Sequence, residues 1–286
     1  MLTIRYMRKF LRFTETYSSN KLLDLANSDI QIDSWLLVPK NTFTGLPYKN
    51  GPFQIHKAFK TLVIDLQKSE NDIFQEFQKS TRYKINRADR EGVSFRILRK
   101  PNDREIQEFI EFFDEFARAK KIRPCIPAKI KQLRNNNAFV ITKAMLGDRT
   151  LACHGYIFDR QRTNMLYSAS LRAGRDSSET NLIGRANRFL HWNSILSFKE
   201  LGCNWYDFCG LSQNPNDIEG QGINKFKKGF GGFEAYELKR YSGQSLKGKL
   251  AIVLFHIKWR NTPEYLTNIK EIKPDSTQSH LKCKAD

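Results

Sequence analysis

"TLVIDLQKSENDIFQEFQKSTRYKINRADREGV", Thr61 to Val93, is the stretch on which the fold class turns. Lys60 to Leu66 is a short aliphatic, partly β-branched run of the kind that forms a buried strand. Ser69 then has the side chain of an N-cap, and Glu70 and Asp72 fall in the first turn, where the helix dipole favours negative charge. Gly92 is the residue type that closes a helix. At about 100° per residue, Phe74, Phe77, Ile85 and Ala88 gather on one side, with Lys79, Arg82 and Arg90 opposite and Arg87 at the edge. The spacing predicts one helix from Ser69 to Gly92 with a core face and a basic stripe. The stripe is either a solvated face or a surface for an anionic ligand.

Working outward, a second helix is expected over Asp103–Lys120, where Ile106, Phe109, Ile110, Phe113, Phe116 and Ala117 keep helical spacing. The period then changes. "AFVITKAML", "TLACHGYIFD" and "NMLYSASL" read as three successive antiparallel strands joined by tight turns. "ETNLIGRANRFLHWNSILSFKELG" reads as a helix burying Leu182, Ala186, Phe189, Trp192 and Leu196. "CNWYDFCGL" and "AYELKRY" are two further strands. Before all of these lie a strand-like "SWLLVP" (Ser34–Pro39) and the turn-rich "KNTFTGLPYKNGP". This order gives a mixed α/β sheet flanked by helices, not the strict alternation of a doubly wound fold.

The chain has 286 residues, of which 40% are hydrophobic and 12% aromatic, enough for a substantial core. Lysine and arginine number 48 against 30 acidic residues, a formal charge of +18. Such an excess favours a polyanionic partner: nucleic acid, a nucleotide-linked substrate or acidic lipid. The five cysteines, Cys125, Cys153, Cys203, Cys209 and Cys283, form no C-x-x-C pair and read as reduced thiols. No His/Cys/Asp/Glu cluster has metal spacing, so no cofactor or metal is expected. "MLTIRYMRKFLRF" lacks the uninterrupted apolar core of a signal peptide, and "LAIVLF" is far too short to span a bilayer. A cytoplasmic protein, at most peripheral to a membrane, is expected.

Four stretches, "TLVIDLQKSENDIFQEFQKSTRYKINRADREGV", "ANRFLHWNSILSFKELG", "WYDFCGL" and "GINKFKKGFGG", resemble in content and order the signatures of the Fem-type aminoacyl transferases, a branch of the GNAT-like fold. The resemblance covers roughly Lys60 to Tyr241. It implies transfer of an aminoacyl group from tRNA to an amine, often on a nucleotide- or lipid-linked cell-wall precursor. It also implies a GNAT-like lobe at 60–245, a truncated N-terminal lobe or extension at 1–59, and an amphipathic helix with a basic tail at 246–286. Members of the family usually have two such lobes. In the family's motif Cys209 is more often glycine.

"GQGINKFKKGFGG" (Gly220–Gly232) is not a Walker loop, because its spacing is wrong. It reads as a glycine-rich loop in which the resemblance places Phe226 and Lys227 at the acylated tRNA end. A lysine there suits a phosphate or an oxyanion, and an aromatic suits base stacking. Acyl transfer to an amine needs a polarised carbonyl and a proton acceptor. Asp207, at a strand end, is the first candidate acceptor, with His154 and Tyr167 behind it; His191 and Trp192 read as core. Arg82, Arg87, Arg90, Tyr206 and Tyr167 join Phe226 as candidate substrate-binding residues. An alternative keeps the fold and takes acyl-CoA as donor, with an amino sugar or amino acid as acceptor. "NLIGRA" (Asn181–Ala186) would then hold the pyrophosphate through Gly184 at a helix start. Finally, "LKGKLAIVLFHIKWR" places Leu246, Leu250, Val253 and Ile257 on one helical face flanked by lysines. That face is read as packing against the protein, in preference to docking on an anionic membrane. Residues after about Pro274 are expected to be a disordered tail.

Overall fold

In chain order the elements are β1 (Leu2–Arg8), β2 (Leu11–Tyr17), β3 (Ile30–Leu37), β4 (Gln54–Asp65), α1 (Glu70–Glu76), α2 (Lys79–Arg90), β5 (Ser94–Leu98), α3 (Asp103–Ala119), α4 (Pro127–Asn135), β6 (Phe139–Leu146), β7 (Arg149–Phe158), β8 (Arg162–Ser170), α5 (Ser177–Glu200), β9 (Trp205–Asp207), α6 (Ile218–Lys228), β10 (Phe233–Gly243) and α7 (Leu246–Trp259). The computed structural model describes residues 1–17, 27–37, 50–171 and 176–265. Cys283, the expected tail after Pro274 and most of the turn-rich stretch after Pro39 lie outside them.

The strands form one mixed sheet in the order β1-β2-β3-β10-β4-β9-β8-β7-β6-β5. Helices α1, α2 and α5 bury Ile73, Ile85, Leu190 and Phe198 against one face, with Phe77 from the α1–α2 junction. Helices α3, α4 and α7 cover the other with Phe109, Phe113, Ile130 and Ile252. The first 59 residues supply β1, β2, β3 and the start of β4, continuing the same sheet at its edge. They are tied in by Glu15 on β2, which is buried with Lys129 of α4 at 2.7 Å and with the hydroxyls of Tyr6 and Tyr17. Burial alone would raise the Glu15 carboxyl. The Lys129 ammonium and the two hydroxyls more than offset it and hold the group at about 2.

Two expectations are corrected here. The helix expected over Ser69–Gly92 is two helices. Phe77 and Gln78 leave helical geometry so that the Gln78 N–H can donate to the Gly229 carbonyl at 2.9 Å. Ser69 does cap the first helix, and Gly92 follows the second at φ 79°. The glycine-rich stretch is not a loop: Ile218–Lys228 is helix α6, capped by Asp217. Its closing glycines serve the fold. Gly231 (φ 68°) and Gly232 (φ 76°) sit where a Cβ would come within 2.8 Å of the Glu76 carbonyl oxygen and 2.4 Å of the Val63 carbonyl oxygen. The turn into β10 thus lies directly on α1 and β4, which only glycine allows.

Candidate active site

Strands β8 and β9 are parallel neighbours joined by the crossover helix α5, and ligands of open α/β sheets favour the carboxyl ends of such strands. Their pairing is short: Arg162 with Trp205, Thr163 with Tyr206, Asn164 with Asp207. Beyond Asn164, β8 runs on to Ser170 with no strand on its β9 side among the described residues. A bulge against β7 between Gly155 and Tyr156 falls at this point and bends β8 away. Burial follows the same line. Arg162, Thr163 and Asn164 are buried, whereas Met165 to Ser168 are half-exposed. The result is a mouth between two diverging strands whose unpaired backbone edge can bond a ligand.

The floor of this mouth is a buried charged cluster. Asp207 is fully buried and holds the Arg162 guanidinium, the Thr61 hydroxyl and, at 2.6 Å, the backbone N–H of Cys209. Arg162 also reaches Glu237 on β10 at 3.1 Å. Cys209 has φ 56°, a left-handed backbone that disfavours any side chain but suits glycine. Its Sγ lies 2.6 Å from Asn164 Oδ1, bridging the base of the splay. Burial, then Asp207 and Glu237, push this thiol well up, so it is no thiolate nucleophile. Lys227 of α6 is buried too, and its Nζ donates to the carbonyls of Cys209 at 2.8 Å and Gly210 at 2.6 Å. Burial lowers its pKa, partly offset by Cys209 and Asp207.

Most sequence candidates therefore stand at or near one place but hold it together. Asp207 is engaged by three partners, Arg162, Thr61 and the Cys209 N–H, and so fixes the turn after β9. Lys227 also fixes that turn and presents no free charge on an exposed loop. Phe226 does not offer an open ring: the Arg188 guanidinium sits 4.6 Å over it and the His191 ring is 5.6 Å away. Tyr167 accepts from the Ile126 N–H at 3.1 Å and packs on Phe113, and burial raises its pKa, so it stays protonated at neutral pH. Arg82 caps α1, donating to the carbonyls of Gln75 and Phe77. Arg87 pairs with Glu91 at 2.9 Å, and Arg90 lies exposed along its own helix, bonded back to the Asn86 carbonyl. Gly184 is buried in the second turn of α5, not at a helix start, where N–H groups are free; that start is Ser177 with Asp176 as cap.

Tyr206, His154 and His191 belong to a buried polar chain that the sequence did not reveal. His154 Nε2 meets Asn187 Oδ1 at 2.8 Å and its Nδ1 meets the Tyr156 hydroxyl at 2.9 Å. Tyr156 meets Tyr206 at 2.8 Å, and Tyr206 meets His191 Nδ1 at 2.8 Å. Burial lowers His154 to about 4 and, with His154, Lys227 and Arg188 adding to it, holds His191 well below its usual range. Both imidazoles are neutral at pH 7, which fixes the protons. His154 donates from Nε2 to Asn187 and accepts at Nδ1 from Tyr156. Tyr156 in turn accepts from Tyr206, and Tyr206 from His191 Nδ1–H. The chain clamps β7, α5 and β9 together behind the mouth, with Trp192 in the neighbouring core against Phe74 and Phe77.

A cationic group on α2 and α5 also escaped the sequence reading. Lys84 of α2 is lowered first by Arg188, then by burial, then by Arg185. Its depression by two neighbouring cations marks positive potential where α2 meets α5. Arg185 is paired with Glu91 at 2.7 and 2.8 Å, and Arg188 donates to the Gly184 carbonyl at 3.0 Å and lies over Phe226. Residues on two helices over a hundred positions apart in sequence give no local signal of such a group. Among the described residues no three His, Cys, Asp or Glu side chains could hold a metal.

The model of the acetyltransferase (GNAT) domain family matches residues 75–228. No curated protein sequence matches the chain. Among solved structures it is similar to FemX, at 13% identity and a TM-score of 0.52, covering 63% of this chain and 61% of that one. It thus spans less than two thirds of FemX. Weaker similarity, at 11% identity and a TM-score of 0.47, links it to the C-terminal domain of a putative lysylphosphatidylglycerol synthetase from Agrobacterium fabrum, over 85% of this chain and 75% of that one. L-PGS from Bacillus licheniformis follows at 13% and 0.45, over 78% and 72%.

Proposed function

This chain belongs to the acetyltransferase (GNAT) domain family, and on that premise we propose that it is an acyltransferase that moves an aminoacyl group from aminoacyl-tRNA to an amine on a cell-wall or nucleotide-linked acceptor. The observation that carries an anionic donor is the cationic pair of Lys84 and Arg188 beside Phe226. A polyanionic donor matches that pair and the +18 charge of the chain; the preference for tRNA over acyl-CoA rests on the position of Gly184. The position of Gly184 inside α5 weighs against the acyl-CoA alternative, because its N–H is spent within the helix.

In this reading the ester carbonyl of the donor lies in the mouth, where the unpaired edge of β8 supplies backbone hydrogen bonds. The neutral amine attacks the ester carbonyl, a C–N bond forms as the bond to the ribose oxygen breaks, and the proton lost by the amine passes to that oxygen, which leaves as a hydroxyl. Asp207, Arg162 and Lys227 act as positioning residues, holding the turn at Cys209 and Gly210 so that the mouth stays open. The anion-binding role is tested with Lys84→Ala and Arg188→Ala. Each is expected to weaken binding of charged tRNA and to reduce the slope of log K against log salt by about 1. Unchanged affinity and slope in both variants would remove the pair from the donor site.

A further inference from the structure

Helix α7 and the β1–β2 hairpin carry exposed apolar groups that the fold leaves uncovered. On α7 the sheet takes Gly248, Ile252, Phe255 and Trp259, so the packing face is not the one expected from spacing. Leu246, Leu250, Val253, Leu254 and Ile257 point outward instead, Leu246 being 85% and Leu250 64% exposed. At about 100° per residue these five lie within an arc of about 100°. Lys247 and Lys258 fall along one border of that arc, Lys249 and Arg260 along the other.

The hairpin tip adds to the same surface. Asp29 accepts from the Arg12 N–H at 2.9 Å and from the hydroxyl of Ser245, the cap of α7, at 2.6 Å. A Cβ on Gly248 would come within 1.7 Å of the Asp29 carbonyl oxygen, so the helix start lies directly on this residue. The tip therefore stands beside the start of α7 and offers Met7 and Phe10, 58% and 73% exposed, among Arg5, Arg8, Lys9 and Arg12. Neither residues 1–14 nor residues 245–260 contain an aspartate or glutamate.

We propose that this face docks the protein on an anionic lipid bilayer, with α7 lying in the plane of the headgroups and Phe10 inserted beside it. An apolar strip bordered on both sides by cations is the pattern of an interfacial helix. A second copy is disfavoured, since face-to-face contact would bring two sets of cations together, and the acid beside them, Asp29, is already bonded to Arg12 and Ser245. Nucleic acid is disfavoured because Leu, Val and Ile give bases no stacking surface. No helix among the described residues is long and apolar enough to cross a membrane, so the contact is superficial. Docking stands independently of the donor assignment.

The test is co-sedimentation of the full chain with phosphatidylcholine vesicles with and without phosphatidylglycerol, alongside its mass in solution. Binding is expected only with phosphatidylglycerol present. A cation near such a surface is worth about fivefold in binding, so Lys247→Ala with Lys258→Ala should weaken it about 30-fold. Leu250→Asp with Ile257→Asp, both exposed and tolerable to the fold, should weaken it by about tenfold or more. No binding to either vesicle would overturn the proposal. So would binding that the leucine and isoleucine changes leave intact, which is adhesion by charge alone. Self-association abolished by those same changes, without vesicle binding, would assign the face to a second copy.

Discussion

Cys209 combines a left-handed backbone with contacts to Asp207, Asn164 and Lys227, so its side chain is held where glycine would rest without strain. Cys209→Gly is expected to fold and keep activity, because relief of strain offsets loss of the thiol contact. Cys209→Val, β-branched at positive φ, should destabilise by about 1–3 kcal/mol; thermal melts of the two variants decide it, and a stable valine variant would contradict this reading of the turn. Tyr206→Phe leaves the His191 Nδ1–H without its acceptor and takes one donor from the Tyr156 hydroxyl. It should cost about 1–3 kcal/mol by denaturant unfolding; a neutral effect would mean the buried chain is not built as described. His154 adds a pH dependence. Its folded pKa of about 4 lies below the unfolded value of 6.5, so between these the unfolded chain binds the extra proton and the folded one does not. Stability should therefore fall as pH drops from 6.5 toward 4, by on the order of 3 kcal/mol across the window. A melting temperature that is flat between pH 7 and 5 would count against a buried neutral His154.

At the scale of elements, what the sequence revealed and what it hid separate on physical grounds. Helix α3 was legible because its apolar residues keep one helical period; the reciprocal cap of Asn102 and Glu105 that starts it went unread. Strands β6, β7 and β8 were legible because their turns are local. The break between α1 and α2 was not, since it answers a carbonyl at Gly229, far along the chain. Helix α6 was hidden by its glycines, which lower helix propensity while the Asp217 cap and the packing around Lys227 override it. Phe226, Lys227, Asp207 and Tyr206 were found by motif, and the structure brings them close together. Their duties as clamps depend on partners in β8, α5 and the turn after β9 that no spacing reveals. Helix α7 has two apolar faces, one of Ile252, Phe255 and Trp259 and one of Leu246, Leu250, Val253 and Ile257, so periodicity could not say which packs. Gly232 gives an element-level test: Gly232→Ala meets the Val63 carbonyl and should lose about 2 kcal/mol or more, whereas Gly222→Ala in α6, with open space around it, should be neutral or stabilising. Equal effects in the two would contradict the assignment of the double glycine to chain closure.

For the whole molecule, one sheet, of ten strands among the described residues, carries the mouth between β8 and β9, the cationic residues of α2 and α5 on one face, and the basic apolar surface of α7 and the β1–β2 hairpin on the other side. Two of its cationic regions thus differ: the α2–α5 residues suit a soluble polyanion and the α7 face an anionic surface. The central claim is the donor. Titration of the purified chain with aminoacylated tRNA, uncharged tRNA and acetyl-CoA at near-physiological salt tests it most directly. Tighter binding of the charged tRNA than of the uncharged one, weakened by Lys84→Ala and Arg188→Ala, is the predicted result. Saturable acetyl-CoA binding with no preference for charged tRNA would contradict it and make this an acyl-CoA-dependent member of the family.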